Sequence, residues 1–235
     1  MIKKTNLDSN KLPKHVAFII DGNGRWAKKR GLSRLIGHTY GFKNLQNMLE
    51  TTFDMGIKTV SIYGFSTENW SRPKEEVDHL MDIIRDFLKN DSEKIYKMGV
   101  KLNIMGDITR FPKDLQDTII KFTNETKNND KRILNLGINY GGRDEIIRAV
   151  NNVLKSGKKN ITKEEFSDFL YTAGQPDPDF IIRTSGEQRL SNFMPWQSTY
   201  SELYFPKILW PDFNEKALKK AIKVYQKRNR RFGGT

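Results

Sequence analysis

Short apolar runs alternate along the chain with longer stretches whose apolar residues recur every three or four positions. The runs near 15–20, 58–64, 100–105, 133–138 and 179–183 have the length and β-branched content of buried strands, and a sixth is expected near 203–206. Between them, Leu45, Met48, Leu49, Thr52 and Phe53 share one helical face ahead of Gly56. Val77, Leu80, Met81, Ile84, Phe87 and Leu88 do the same after Pro73. This predicts helices over 42–53 and 77–95. Thr162 and Glu165 form a capping-box pattern ahead of a short helix. The alternation predicts an α/β fold, a single domain with a central, mostly parallel sheet flanked by helices. There is no internal repeat, and the linker around 174–178 is the boundary the pattern defines least.

The first apolar run ends abruptly in Asp21-Gly22-Asn23-Gly24-Arg25-Trp26. Gly22 and Gly24 permit a tight turn, and a helix starting near Asn23 would point its positive end at whatever sits there. Arg25 offers a bidentate clamp for a phosphate, and Asp21 a hard oxygen ligand of the kind Mg2+ prefers. Taken alone, Asp21-Gly22-Asn23-Gly24 reads better as an ordinary strand–turn–helix corner, a reading that Arg25 and Trp26 directly after the turn weaken. In open α/β sheets, however, ligands bind beyond the carboxyl ends of the strands. That rim also collects Ser66 and Asn69, Asn139, and Arg183, so separate strands aim polar groups at one place. Arg183, Arg189 and Ser191, with Gly186 between them, could fold two guanidinium groups and a hydroxyl around one phosphate or diphosphate.

Composition narrows the classes. The 235 residues are 37% hydrophobic and 29% charged, ordinary for one globular domain. With no cysteine, disulfides, thiolate metal sites and cysteine nucleophiles are excluded. The start of the chain is polar and lysine-bearing, unlike a secretory signal, and no apolar run is long enough to span a bilayer, so a cytoplasmic location is expected. The net charge of +13 fits nucleic acid, an anionic membrane or polyanionic small substrates. Basic residues are spread widely, with modest clusters at Lys28–Arg30, Lys155–Lys159 and Lys227–Arg231, and most read as a solvated surface. No helix-turn-helix, zinc-finger or RNA-recognition pattern occurs, so no nucleic-acid partner is expected. Neither GxxxxGK[ST] nor GxGxxG after the first strand is present, which argues against nucleotide kinases and dinucleotide oxidoreductases. The chain also contains no adjacent Asp-Asp pair.

Four further segments follow the first in order. They are Tyr63-Gly64-Phe65-Ser66-Thr67-Glu68-Asn69-Trp70-Ser71-Arg72-Pro73, Asn139-Tyr140-Gly141-Gly142-Arg143, the stretch from Ile182 to Phe193, and Leu209-Trp210-Pro211-Asp212-Phe213 with Arg230-Arg231-Phe232-Gly233-Gly234 at the end. Together these resemble the signatures of the cis-prenyltransferases, the undecaprenyl diphosphate synthase family, over nearly the whole chain from His15 onward. The resemblance implies an N-terminal arm over 1–14 and a catalytic domain over 15–235 that encloses an apolar tunnel. It implies a Mg2+-dependent enzyme that adds isopentenyl diphosphate units to an allylic diphosphate, farnesyl diphosphate in the first instance, in the cis configuration. The expected product is undecaprenyl diphosphate, a lipid-carrier precursor for cell-wall glycans. The alternative is a non-catalytic scaffold subunit of a synthase complex.

Carried onto this sequence, the resemblance makes Gly22, Asn23, Gly24, Arg25, Trp26, Arg34 and His38 the allylic diphosphate site. His38 would assist leaving-group departure. Arg183, Arg189 and Ser191 would hold isopentenyl diphosphate. Ser66 and Asn69 would sit near the reacting carbons, with Glu68, Trp70 and Arg72 of the same segment also touching substrate. Asp21 is the expected essential catalytic carboxylate, and Asp21 and Glu202 are the expected metal ligands. Arg231 and Gly233 match a C-terminal element that reaches the partner's site in a homodimer, for which Leu203, Tyr204, Phe205, Leu209 and Trp210 are interface candidates. Peripheral contact with the inner face of the membrane is expected for product release. Gly64 stands where many relatives have Ala, and Pro195 replaces a more usual apolar residue.

Overall fold

The computed structural model describes residues 7–90, 92–231 and 234. Six strands, β1 (His15–Ile19), β2 (Thr59–Ser66), β3 (Val100–Met105), β4 (Arg132–Tyr140), β5 (Phe180–Arg183) and β6 (Glu202–Tyr204), form one sheet in the order β3-β4-β2-β1-β5-β6. Every pairing is parallel, so all the carboxyl ends lie along one edge. The interleaved helices are α1 (Asn23–Lys28), α2 (Arg34–Asp54), α3 (Lys74–Asn90), α4 (Ser92–Lys97), α5 (Lys113–Thr126), α6 (Gly142–Lys155), α7 (Lys163–Ser167) and α8 (Glu215–Gln226).

All six predicted strands are present. The two sheet faces divide as the period-2 rule requires. Val16, Phe18, Val60, Ile62, Leu134 and Leu136 face the large core built with α2, α3, α5 and α8. Ala17, Ile19, Tyr63 and Ile181 face the other way and pack with Phe193 and Met194, while Ala149 of α6 meets Phe166 and Leu170 nearby.

The helices differ from expectation at their ends. α2 starts at Arg34, well before residue 42, because the Ser33 side chain caps the Ile36 N–H at 3.4 Å. Gly37 and Gly41 disguise that start, since glycine weakens an isolated helix. Here they let α1 approach: a Cβ on Gly37 would lie 2.3 Å from the Asn23 carbonyl oxygen, and one on Gly41 2.2 Å from Asn23 Oδ1. The segment predicted as one helix over 77–95 is two, α3 and α4, and Asp91 between them lies outside the described residues.

Trp210 is fully buried against Phe18 and Phe213, and its indole N–H donates to the Gly41 carbonyl at 2.7 Å. It therefore fastens the chain after β6 to α2 and is not available to a subunit interface. Among the described residues, no helix is long and apolar enough to cross a membrane.

Candidate active site

β1 delivers Asp21 into a turn whose Gly22 has φ +110°, and a Cβ there would sit 2.9 Å from Leu209 Cδ2. Only glycine satisfies both demands. The turn aims the Asp21 carboxylate at two cations: Oδ1 accepts from Arg25 Nη2 at 3.1 Å, and Oδ2 from Arg183 Nη2 at 3.0 Å. Burial pushes the Asp21 carboxyl upward in pKa, but the Arg183 and Arg25 guanidinium groups outweigh it and hold the group below the ordinary carboxylate range. Asp21 is thus ionised at neutral pH.

Arg183, only 5% exposed at the end of β5, donates through Nη1 to the Arg189 carbonyl and to Ser191 Oγ, both at 2.7 Å. Its geometry therefore organises the following loop. That loop holds Ser185, Ser191, Asn192 and Met194 at positive φ, which non-glycine residues keep only when their surroundings demand it. The surroundings are specific. Asn192 accepts the Gly142 N–H at its carbonyl (2.8 Å) and the Arg143 N–H at Oδ1 (2.9 Å), so the loop caps the N-terminus of α6. The Tyr63 hydroxyl donates to the Ser191 carbonyl at 3.1 Å. Pro195 lies so close to Gly142 that a Cβ there would be 2.0 Å from its Cδ. Glu187 on the same loop bridges two cations, accepting from Arg25 with one oxygen and Arg189 with the other, each at 2.7 Å.

A second cluster converges on Glu76 of α3. Its Oε1 accepts from His38 Nε2 (3.0 Å) and Arg72 Nη1 (2.9 Å) and is ion-paired with Arg34, whose Nε lies 3.0 Å away. Burial raises the Glu76 carboxyl, and His38, Arg72 and Arg34 together bring it below its usual value. Burial lowers the His38 pKa more than Glu76 raises it, so the ring is neutral near pH 7. A carboxylate only accepts, so His38 carries its proton on Nε2 and leaves Nδ1 as an acceptor.

Both clusters open on one cavity of about 1030 Å³. Its mouth is lined by Asp21–Arg25, Arg34, Arg72, Arg183, Arg189 and Ser191, with Ser66, Glu68 and Asn69 beside them. Asn69 Oδ1 accepts the Ser66 N–H at 3.1 Å, which fixes that corner after β2. Deeper in, Phe42, Leu45, Leu80, Ile84, Phe87 and Ile138 make the wall hydrocarbon. Gly64 lines the cavity too, and an added Cβ would make only ordinary contacts, the nearest at 3.4 Å. Arginines over a floor of this kind suit anionic heads on apolar tails.

The family sequence model described as "Putative undecaprenyl diphosphate synthase" matches residues 19–233. An isoprenyl transferase of Fusobacterium nucleatum subsp. nucleatum is 52% identical over 223 residues, spanning 95% of this chain and 96% of that protein. The chain belongs to the undecaprenyl diphosphate synthase family. A ditrans,polycis-undecaprenyl-diphosphate synthase of Micrococcus luteus, (2E,6E)-farnesyl-diphosphate specific, is 44% identical, covering 99% of this chain and 96% of that one. Among solved structures, lavandulyl diphosphate synthase from Lavandula x intermedia in complex with dimethylallyl diphosphate superposes with a TM-score of 0.91 at 37% identity, over 95% of this chain and 99% of that chain. The catalytic reading is favoured over the scaffold, since the family members are synthases and both arginine clusters are intact.

Within this prenyltransferase fold, Asp21, Gly22, Asn23, Gly24, Arg25, Arg34, His38, Ser66, Glu68, Asn69, Arg72, Arg183, Arg189 and Ser191 meet at the one cavity. Others do not. Glu202 opens β6 in register with Phe180 and Val16, about 10 Å down the sheet from the carboxyl edge at ~3.3 Å per residue, and binds Arg228 at 2.6 Å. It is no metal partner for Asp21 within one chain. Trp70 turns its indole to Asn139 Oδ1 (2.7 Å) and packs on Phe65, and Trp26 is buried with its indole on Asp212 (2.7 Å). Both shape the walls from behind. Asn139 itself supports Trp70 and the Asp107 carbonyl and does not line the cavity. Arg231 is exposed and away from it, and Gly233 lies outside the described residues.

Sequence reasoning missed Glu76 and Asn192. Glu76 was legible as the helical i+4 partner of Arg72. Asn192 depends on loop geometry that no local pattern announces.

Proposed function

We propose that this chain elongates prenyl diphosphates in the cis configuration, adding isopentenyl diphosphate units to farnesyl diphosphate until undecaprenyl diphosphate is released. The observation that carries the reading is the single cavity in which the Asp21–Arg25 turn and the Arg183–Ser191 loop share a cationic mouth above an apolar chamber. The allylic C–O bond breaks with its electron pair leaving on diphosphate. The isopentenyl double bond then attacks the allylic carbon, and a proton leaves the neighbouring carbon.

Arg25, Arg34 and the neutral His38 would surround the departing diphosphate, where donors fixed in advance stabilise developing charge most. Arg183, Arg189 and the Ser191 hydroxyl would grip isopentenyl diphosphate, and Ser66 and Asn69 would orient its carbon end. The diphosphate leaving group is itself a competent base, so no side chain is assigned that role.

Among the described residues no set of three His, Asp or Glu converges on one point, so a metal bound here would take only part of its ligands from this chain's side chains. That suits Mg2+, which is commonly held by one or two carboxylates plus phosphate oxygens. Asp21, ionised and facing the cavity, would hold it, and the ion would supply charge stabilisation to the leaving diphosphate.

We place the reaction in the cytoplasm and in a homodimer. An unpartnered apolar stripe on α6, Ile147 (61% exposed), Val150 and Leu154 (68%), supports a covering subunit. Incubation with farnesyl diphosphate, labelled isopentenyl diphosphate and Mg2+, followed by chromatography of the products, tests the function. A ladder ending near eleven isoprene units is expected, and no incorporation of label overturns the reading.

A further inference from the structure

The net charge of the chain is not spread over it. Residues 22–49 contain six Lys and Arg and no acid, and residues 213–231 contain eight and one acid. The remaining residues carry 27 bases and 27 acids, so these two segments account for all of the +13. They are also neighbours in space. Trp210 donates to the Gly41 carbonyl, Asn44 donates to the Trp210 and Phe213 carbonyls at 2.7 and 2.8 Å, and Arg30 reaches Asp212 at 3.3 Å. α1, α2 and α8 therefore form one basic surface.

Of the other helices on the same sheet face as α2 and α8, α4 has two bases and one acid, but α3 and α5 have an acidic balance. α3 has three bases and five acids, and α5 two and three. The helical layer is thus polarised, basic on one side of the cavity and acidic on the other. Among the described residues, no salt bridge draws on Lys28, Lys29, Lys43, Lys216, Lys220 or Lys223. Some of the tail charge does not count outward, because Arg228 and Arg230 are neutralised by Glu202 and Asp179.

Apolar side chains accompany the lysines. Leu32 (38% exposed), Ile36 (39%) and Tyr40 (50%) follow one another at four-residue intervals, and Leu32 also lines the cavity mouth. Exposed lysines around exposed aliphatic groups are the composition of a face that lies on an anionic bilayer. A nucleic acid would use the charge and gain little from Leu32 and Ile36.

We propose that the α1–α2–α8 surface docks on a membrane containing anionic phospholipid, which sets the cavity mouth at the lipid boundary. The inference deepens the proposed function, because a long hydrocarbon product made there could pass into lipid without crossing water. Its test requires no turnover. The protein is co-sedimented with vesicles of phosphatidylglycerol and phosphatidylcholine, and with vesicles of phosphatidylcholine alone, at low and high salt.

Binding is expected only to the anionic vesicles and is expected to fall steeply with salt. Each of Lys29→Gln, Lys43→Gln, Lys220→Gln and Lys223→Gln should lower vesicle affinity about fivefold. Ile36→Ser should weaken binding without changing its salt dependence. As controls, Lys127→Gln, Lys131→Gln, Lys155→Gln and Lys159→Gln, each made singly, lose the same charge elsewhere and should bind like the wild type, with circular dichroism confirming that all variants fold. Equal binding to both vesicle types, equal loss in the control, or displacement from vesicles by a duplex oligonucleotide that Ile36→Ser does not weaken would overturn the proposal. Absence of prenyl transfer with intact vesicle binding would count against the proposed function alone.

Discussion

At the scale of single residues, the site rests on charges that neutralise one another before any substrate arrives. Asp21 faces a guanidinium that is almost wholly buried, so removing its carboxylate leaves Arg183 without its charge partner. We expect Asp21→Ala to cost about 1.5–3 kcal/mol of stability, the range for a hydrogen bond to a charged group. The corresponding fall in Tm is roughly 2–4 °C per kcal/mol for a domain of this size. Turnover should drop by at least about a hundredfold, as when a charge-stabilising group is lost. Calorimetry and a prenyl-transfer assay on the same preparation separate the two effects, and near-normal turnover would remove Asp21 from the mechanism.

His15 gives a second test, away from the site. It is fully buried, donates from Nδ1 to the Pro176 carbonyl and accepts at Nε2 from Ser61, both at 2.7 Å, and burial lowers its pKa to about 4. The unfolded chain binds a proton near 6.5, so between pH 6.5 and 4 it holds more protons than the folded chain, and stability falls as pH falls through that window. The loss is about 3 kcal/mol from this residue. His38, also lowered, acts in the same direction. Urea midpoints at pH 7 and 4.5 should differ markedly in the wild type and much less in His15→Gln, and an equal pH dependence in both would refute the assignment.

At the scale of elements, the important joint is between α6 and the loop that carries Arg189 and Ser191. Gly142 is where the helix starts and where Pro195 presses in, so Gly142→Ala must push the loop off the helix end. A displacement near 1 Å at a positioning element can cost about a hundredfold in rate. We expect kcat/KM for isopentenyl diphosphate to fall by about that much while affinity for the allylic diphosphate stays near normal. An equal loss for both substrates would mean that the loop does not belong to one of them. This joint also marks the limit of what the sequence discloses. Strands β1 and β5 were legible because buried parallel strands are near-continuous apolar runs, and the polar residues that follow Ile19, Phe65 and Ile182 were legible because strand ends define a rim. The early start of α2 was hidden by Gly37 and Gly41, whose value lies in contact with Asn23 and not in helix propensity. The separation of Glu202 from Asp21 within one chain was hidden for a related reason. A motif gives order along the chain, but the register of β6 against β5 decides which end of the sheet a residue occupies.

At the scale of the whole molecule, the arrangement leaves two features that a lone subunit does not use. The α6 stripe of Ile147, Val150 and Leu154 is open, and Arg231 stands away from the cavity at the end of a basic tail. A two-fold pairing would cover the first and could bring the second to the neighbouring mouth, and such pairings are the commonest closed assemblies. A frayed terminus is the competing expectation, since the last residues of a domain are often dispensable. The two differ in a mixing experiment. Deleting residues 230–235 should cut activity severely, and because Arg230 holds Asp179, thermal melting must show that the deletion still folds. Asp21→Ala should be inactive through its own cavity. Mixed and allowed to exchange, the two variants form heterodimers in which one cavity has an intact Asp21 and faces an intact tail from its partner. Activity should rise toward one working site per heterodimer. No recovery on mixing, full activity of the deletion, or a monomer by light scattering at assay concentration would show that each subunit works alone.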